Sequence, residues 1–158
     1  MTAQVPAKAL AEELAAQHID YEVIPHRRTE SAVAEARAVG VEPDHVAKTI
    51  VLSTPDGFVR AVVPASRRIE LRKSREALGT KNVHLASEQV LSREYPEFEL
   101  GAVPPVGGAR RDPVLLDQRL HESEWVVFEA GTHEHSVRLK TADLVSITNA
   151  RVADICLD

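Results

Sequence analysis

The stretch that decides the fold is TIVLS (49–53), TPDG (54–57) and FVRAVV (58–63). Two runs rich in β-branched and apolar residues flank a Pro-Asp-Gly sequence, which favours a tight reversal of the chain. The segment therefore predicts an antiparallel β-hairpin. Any sheet built around this hairpin contains at least one antiparallel pair of strands.

Segments on both sides of the hairpin alternate between helical and extended patterns. Helices are predicted over 7–18, from Thr29 or Ser31 to Gly40, over 71–78, from Ser87 to Arg93 and over 141–148. Strands are predicted over 21–24, 83–85, 114–116, 125–128 and 136–139, with 152–156 as an edge strand. Because helices and strands interleave around a hairpin, the pattern indicates an α/β fold with a mixed sheet.

Three details of the helices are also predicted. Pro6 suits the first turn of the first helix, and Thr141 is a possible cap of the last one. The inner face of the second helix is predicted to carry Ala32, Val33, Ala36 and Val39.

Length and composition are those of a globular chain with one domain. The 158 residues, 44% of them apolar, suit one domain spanning 1–158. The single Cys156 cannot form an internal disulfide, which favours a reducing compartment. The N-terminus has no apolar run that is typical of a signal peptide or a membrane span. A cytoplasmic location and no membrane partner are therefore expected.

The balance of charge argues against binding nucleic acid over the whole surface. The net charge is −5, whereas such binding depends on many phosphate contacts. No DNA partner is expected. The basic run 67–75, together with Arg110 and Arg111, is a candidate polyanion contact, and its alternative is a solvated helix face.

Common catalytic and cofactor motifs are absent from the sequence, and no cofactor is expected. His133 and His135 could serve as metal ligands, but partners are lacking, and polar histidines in a turn are favoured. Cys156 has apolar neighbours and is interpreted as an inert buried thiol. Ser136 has no base or orienting group nearby in the sequence, although partners in space remain open.

Two features of the sequence, a lysine and a loop, can each be interpreted as part of a binding site or as purely structural. Lys48 stands at the start of the first hairpin strand, where it could hold a positive charge beside a pocket or simply extend to solvent. The loop 101–108 contains glycines that let a backbone N–H approach a ligand and prolines that stiffen the chain. It could form an oxyanion-binding site, or it could be a rigid connector.

Three motifs in this order resemble the YbaK/EbsC family, which is similar to the inserted editing domain of bacterial prolyl-tRNA synthetases. They are VAKTIVL (46–52), GAVPP (101–105), and Ala130-Gly131 followed by SVRL (136–139) and TADL (141–144). The resemblance covers about 21–156. It implies one α/β domain with a mixed, curved, barrel-like sheet surrounded by helices.

The resemblance also implies an activity and a set of site residues. The activity would be hydrolysis of the ester that joins a wrong amino acid to the 3′ end of a tRNA. Lys48 would contact the terminal adenosine or the aminoacyl group, and the loop starting at Gly101 would hold the ester carbonyl. The substrate-binding residues so implied are Thr49, Ala102, Val103, Pro104, Pro105, Gly131, His133, His135 and Ser136.

This activity requires neither a protein nucleophile nor a metal. An aminoacyl ester is already activated, so positioning a water and stabilising the oxyanion can accelerate hydrolysis. Pocket size would admit small amino acids such as alanine, serine, cysteine or threonine. The expected partner is the tRNA acceptor end, alone or with a synthetase. The alternatives are a binding module for a nucleotide, the acceptor end or a protein, and a metal-dependent hydrolase using His133 and His135.

Overall fold

The computed structural model describes residues 7–158, whose helices and strands alternate along most of the chain. In chain order they are α1 (Lys8–Ala16), β1 (Tyr21–Pro25), α2 (Ala32–Val39), β2 (Val46–Thr54), β3 (Gly57–Pro64), α3 (Leu71–Leu78), β4 (His84–Leu85), α4 (Glu88–Glu94), β5 (Val114–Asp117), α5 (Gln118–His121), β6 (Trp125–Thr132), β7 (His135–Lys140), α6 (Thr141–Thr148) and β8 (Arg151–Ala153). A 3₁₀ turn at Pro43–His45 leads into β2. Among residues 7–158, no helix has both the length and the apolar character needed to cross a membrane.

The strands form one mixed sheet in the order β1-β7-β6-β2-β3-β5-β8, and β4 pairs with β2. The β1/β7, β6/β7, β2/β3 and β2/β4 pairs are antiparallel. The β2/β6, β3/β5 and β5/β8 pairs are parallel. The predicted α/β class with a mixed sheet is confirmed.

The predicted hairpin lies at the centre of this sheet. Its strands pair from Ala47 with Pro64 to Thr54 with Gly57. At the turn, Thr54 Oγ1 donates a hydrogen bond to the Gly57 carbonyl over 2.9 Å and accepts one from the Asp56 N–H over 3.2 Å. Gly57 has φ +122°, a backbone conformation that suits glycine because it has no Cβ.

The ends of two helices agree with the predicted caps. The Ala34 N–H donates to Ser31 Oγ at the start of α2, and Gly40 ends that helix in the left-handed conformation. The Val90 N–H donates to Ser87 Oγ at the start of α4. Both hydrogen bonds satisfy a donor that has no partner inside the helix.

Other local predictions need correction. Thr141 does not cap α6, because Lys140 is at the cap position and Thr141 is the buried first residue of the helix. On α2, Val33 is 45% exposed, and Glu35 is buried beside Ala36 instead. The edge strand is shorter than predicted and ends at Ala153. Pro6 lies outside the described residues.

Two main clusters of apolar side chains make the core. The first joins α1 to β6, β7 and α6 through Leu10, Phe128, Leu139 and Leu144. The second joins the hairpin to β5 and the chain end, and it includes Cys156. Cys156 is fully buried, as predicted, and burial raises the pKa of its thiol to about 12.

A buried arginine connects the hairpin to the loop 101–113. Arg60 on β3 is 2% exposed, and its guanidinium donates to the carbonyls of Pro104 over 3.0 Å and Gly107 over 2.8 Å. It also pairs with Asp112 over 3.2 Å, and it lies 5.2 Å from the centre of the Tyr95 ring. A loop rich in proline and glycine, which has no strand partner, thus obtains hydrogen-bond partners for its backbone.

Replacing Arg60 with Met is expected to lower the free energy of unfolding by about 3–5 kcal/mol, because Asp112 and the loop carbonyls would lose their buried partner. Arg60→Lys should recover only part of this loss, since an ammonium cannot reproduce the planar fork of a guanidinium. Urea denaturation measures both effects. As a control, Arg72→Met removes only the exposed pair with Glu76 and should change stability by less than about 0.5 kcal/mol. Equal effects at positions 60 and 72 would contradict this role of Arg60.

Candidate active site

A cavity of about 290 Å³ opens between the start of α2, the first half of β2, the loop after Leu100 and β6. This volume suits a small ligand or one end of a larger one. Its lining residues are Glu30, Ser31, Ala32, Val33, Glu35, Ala47, Lys48, Thr49, Ile50, Ala65, Gly101, Ala102, Val103, Phe128 and Glu129. Residues from the first two predicted motifs therefore meet at this cavity.

The predicted site residues divide into two groups. Lys48, Thr49, Gly101, Ala102 and Val103 line the cavity. The remaining ones do not line it: Pro104, Pro105, Gly131, His133, His135 and Ser136. Several members of the second group nevertheless contact the residues that form the cavity wall.

Lys48 is a half-buried cation on the cavity wall. Burial lowers the pKa of its ammonium, and the charge of Arg68 lowers it further. Among residues 7–158, no carboxylate lies within ion-pair distance of Lys48, so its charge is available to a ligand. Thr49 Oγ1, on the next residue, is buried and has no hydrogen-bond partner in the described structure.

The loop from Gly101 to Val103 lines the cavity and includes two backbone donors without an acceptor in the described structure. Gly101 has φ +85°, and a Cβ at this position would lie 3.5 Å from the His133 ring. The Ala102 N–H donates to the Glu99 carbonyl over 2.9 Å, whereas the N–H groups of Gly101 and Val103 have no acceptor within residues 7–158. These two donors are available to an oxygen atom of a ligand.

His133 fixes this loop from behind. Its Nε2 donates to the Leu100 carbonyl over 2.7 Å, and its Nδ1 lies 3.0 Å from Glu129 Oε2. Together with Arg60, which holds the Pro104 carbonyl, it anchors the chain on both sides of Gly101–Val103. The loop is therefore held in place before a ligand arrives.

His133 lies in the turn between β6 and β7 and His135 begins β7, but neither side chain faces solvent. Both His133 and His135 are 4% exposed. His135 Nδ1 lies 2.8 Å from Thr132 Oγ1, and its Nε2 has no partner in the described structure. Within residues 7–158, no group of three potential metal ligands occurs, and both nitrogens of His133 already have partners.

Pro104, Pro105 and Gly131 have packing roles. Pro104 and Pro105 are buried next to the cavity wall, and Pro105 borders a second depression near Arg60. Gly131 has φ +85°, and a Cβ there would lie 2.6 Å from the Phe98 ring. Glycine is therefore required at position 131 for close packing.

Two buried carboxyl groups on the cavity wall were not predicted from the sequence. Glu35 is fully buried on α2, and burial raises its pKa to about 8. Glu129 on β6 is also buried in large part, which likewise raises its pKa to about 8. The sequence contains a signal for both residues. Glu35 is next to the inward-facing Ala36 in an apolar helix, and Glu129 interrupts an otherwise apolar strand.

Ser136 has partners that only the fold brings together. Its Oγ is hydrogen-bonded to Glu35 Oε2 and lies 2.9 Å from His26 Nε2. His26 Nδ1 donates to the Arg27 carbonyl over 2.7 Å. Ser136 is buried behind the cavity and holds the Glu35 carboxyl, while Glu35 Oε1 has no partner in the described structure.

Most of the basic run is engaged in intramolecular contacts. Lys73 contacts Asp154 and Asp158, and Arg75 donates to the Val83 carbonyl. The remaining pairs are Arg72 with Glu76, Arg110 with Glu94 and Asp112, and Arg111 with Glu13. Arg67 and Arg68 are exposed, and Arg68 is close enough to influence Lys48.

Comparison with known proteins identifies the family. Residues 26–147, more than half of the chain, match the model of the aminoacyl-tRNA editing domain. The chain therefore belongs to the aminoacyl-tRNA editing domain family. This match confirms the family resemblance that the three ordered sequence motifs indicated.

Individual relatives agree with this family. A protein of Enterococcus faecalis (strain ATCC 700802 / V583), provisionally named Cys-tRNA(Pro)/Cys-tRNA(Cys) deacylase EbsC, is 26% identical over 79% of this chain and 76% of its own length. The proline–tRNA ligase of Thermosipho africanus (strain TCF52B) is 31% identical over 52% of this chain. This match covers only 14% of the ligase.

Solved structures share the fold over nearly the whole described chain. A crystal structure titled as a trans-editing enzyme for prolyl tRNA synthetase, assigned provisionally, has a TM-score of 0.85 and 26% identity, covering 96% of this chain and 97% of that one. The hypothetical protein APE2540 has a TM-score of 0.86 at 22% identity, covering 95% of this chain and 100% of its own, and it supports the fold alone.

The two buried carboxyls predict a dependence of stability on pH. Their folded pKa of about 8 exceeds the ordinary value of 4.5, so the folded state retains protons that the unfolded state has lost between these pH values. Each group therefore lowers the free energy of unfolding as pH rises through this window, by at most about 1.4 kcal/mol per pH unit.

Urea denaturation at pH 5, 6, 7 and 8 tests this dependence. Glu35→Gln should become progressively more stable than the wild type as pH rises, because glutamine remains neutral. The exposed Glu134→Gln should follow the wild-type profile. A stability difference between Glu35→Gln and wild type that is constant over this range would contradict the raised pKa.

Proposed function

We propose that this chain is a free-standing aminoacyl-tRNA deacylase that acts in trans on a tRNA carrying a small amino acid: alanine, serine, cysteine or threonine. The observation that carries the proposal is the convergence of Lys48 with the free N–H groups of Gly101 and Val103 on one small cavity. Similarity to a structure titled as a trans-editing enzyme supports the free-standing mode of action.

The proposed mechanism is hydrolysis by a positioned water. The ester carbonyl accepts hydrogen bonds from the Gly101 and Val103 N–H groups, and these strengthen as its oxygen becomes negative. Lys48 adds a positive charge near the same oxygen or the terminal ribose. The water attacks the carbonyl carbon and the bond to the ribose oxygen breaks. The ribose oxygen takes one proton from the water, the other proton passes to solvent, and the amino acid leaves as its carboxylate.

No side-chain nucleophile takes part in this proposal. Ser136 is buried behind the cavity, and Cys156 is in the core cluster that joins the hairpin to the chain end. Preorganised donors and a bound water can accelerate the hydrolysis of an activated ester without a covalent intermediate. We therefore expect the activity to be independent of a metal.

The size of the cavity supports a small aminoacyl group. Phe128 and Ala65 form part of its wall, and about 290 Å³ must accommodate the aminoacyl group together with the water. Exclusion by size separates small side chains from large ones but discriminates weakly among similar small ones. Because the E. faecalis relative is named for Cys-tRNA, cysteine is one of the amino acids to test.

The proposed partner is the acceptor end of a tRNA, with an aminoacyl-tRNA synthetase as a further candidate. Arg67 and Arg68 follow the end of β3 and are exposed, and Arg68 is close enough to Lys48 to lower its pKa. Their guanidinium groups are suited to contact phosphates next to the terminal adenosine. The match to a proline–tRNA ligase motivates the synthetase as a partner.

One observation favours a second candidate function, which is binding without turnover. The two carboxyls on the cavity wall have pKa values of about 8, so neither is a fully ionised base at neutral pH. A module with this cavity could retain an aminoacylated acceptor end and leave the ester intact. Saturable binding of acylated tRNA without release of amino acid would favour this alternative.

Lys48→Ala is expected to reduce kcat/KM for deacylation by at least about 100-fold, because the oxyanion or ribose loses a nearby charge. Release of amino acid from Ala-, Ser-, Cys- and Thr-tRNA measures this effect. Lys81→Ala, at an exposed lysine that does not line the cavity, is the matched control and should retain activity. Undiminished turnover by folded Lys48→Ala would remove Lys48 from the mechanism.

A separate measurement tests metal independence. Loss of wild-type turnover in EDTA would contradict it.

Replacing both Arg67 and Arg68 with Ala is expected to raise KM for the tRNA about tenfold or more at moderate salt, while kcat stays within about threefold. The slope of log KM against log salt should also become shallower. Replacing both Arg72 and Lys81 with Ala, which also removes two positive charges at exposed positions, serves as the charge-matched control. An unchanged KM and salt slope in the double variant would place the phosphate contact elsewhere.

A further inference from the structure

The cavity wall carries one cationic side chain, Lys48, and two carboxyl groups, Glu35 and Glu129. Arg68 and the Cys156 thiol are the ionisable neighbours that act on Lys48, whereas Glu129 and His133 act on Glu35. Glu35 and Glu129 have no lysine or arginine partner within ion-pair distance among residues 7–158, although Glu129 contacts His133. Two cavity-wall carboxyl groups without a lysine or arginine partner have the polarity that suits a small cation.

Glu35 is held in place with one oxygen unused. Its Oε2 is hydrogen-bonded to Ser136, whose hydroxyl also contacts His26, so the carboxyl cannot rotate freely. Its Oε1 is buried on the cavity wall and has no partner in the described structure. A buried polar atom without a partner is rare in folded proteins, and this one belongs to a residue that lines the cavity.

We propose that Glu35 is a substrate-recognition residue whose free Oε1 binds the α-ammonium group of the aminoacyl ester. This inference rests on the proposed function and adds the group by which the site recognises its substrate. An aminoacyl ester carries its ammonium on the carbon next to the carbonyl. When the carbonyl oxygen lies at the Gly101 and Val103 N–H groups, the ammonium is directed away from Lys48, which would repel it.

The protonation of Glu35 is compatible with this role. An empty site keeps the carboxyl largely neutral, because burial raises its pKa to about 8. A cation within about 4–6 Å favours the ionised form, so an arriving ammonium supplies the opposite charge that the carboxyl otherwise lacks. The resulting hydrogen bond is charge-assisted and shielded from water, which makes it stronger than a neutral one.

The experiment compares two esters that differ only at the α-position. Alanyl-tRNA is the first, and lactyl-tRNA, in which a hydroxyl replaces the ammonium, is the second. Because the two esters differ in intrinsic reactivity, each kcat/KM is divided by the uncatalysed hydrolysis rate of the same ester in the same buffer. We expect the wild type to prefer the amino ester by about 10- to 100-fold after this correction.

Glu35→Gln retains the volume of the side chain and a polar group for Ser136, but it cannot become negative. This variant should lower the preference for the amino ester to within about threefold of unity. Glu134→Gln, an exposed glutamate outside the cavity, should retain the wild-type preference. Thermal melting shows whether each variant is folded.

A binding measurement separates this inference from the proposed function. The probes are 3′-alanylamino-3′-deoxyadenosine and its lactyl counterpart, whose amide bonds are stable, and calorimetry gives the ratio of their Kd values. A wild-type preference of about tenfold or more for the alanyl probe, lost in Glu35→Gln, supports the ammonium site even if no ester is cleaved. Deacylation of the panel without an amino preference would leave the proposed function intact and overturn the ammonium site.

Two further outcomes would also overturn the inference. One is equal wild-type affinity for both probes, which needs no variant and therefore does not depend on the folding of Glu35→Gln. The other is a folded Glu35→Gln that keeps the amino preference but changes the ratio of Ser-tRNA to Ala-tRNA turnover. That result would assign Oε1 to the side-chain hydroxyl of the substrate instead.

Discussion

The site depends on the buried guanidinium of Arg60. It lies on a central strand and donates to the carbonyls of Pro104 and Gly107, in a loop that lacks a strand partner. Proline removes backbone donors and glycine adds conformational freedom, so this loop cannot order itself through regular secondary structure. A rigid strand therefore orders the loop through this side chain, which fixes the position of the Gly101–Val103 donors together with His133 on the other side.

The residues behind the cavity are as important as those that line it. His133 joins the Leu100 carbonyl to Glu129, and Ser136 joins Glu35 to His26. Each connection fixes one group of the wall through a side chain that no ligand has to touch. Several residues implied by the family resemblance thus act on the cavity by holding its wall, which explains why the motifs extend beyond the residues that line it.

Burial gives this site an unusual electrostatic character. Two carboxyls and one lysine share a small space, and burial shifts all three towards their neutral forms. Such a site is stable when empty, because neutral groups cost less to bury than ions. A zwitterionic or cationic end of a substrate can supply the missing opposite charges, so the same burial that neutralises the empty site favours a charged ligand.

The sequence by itself determined the local structure and the family. The hairpin, the Ser31 and Ser87 caps and the α/β class depend on neighbouring residues and on turn chemistry, and the ordered motifs identified the editing domain. Only the tertiary structure decided that Glu35 and Glu129 face the cavity and that His133 and His135 are buried. Ser136 meets Glu35 across 101 positions of the chain, and Arg60 meets Pro104 across 44. Contacts at such separations arise from strand order and packing, which local periodicity does not encode.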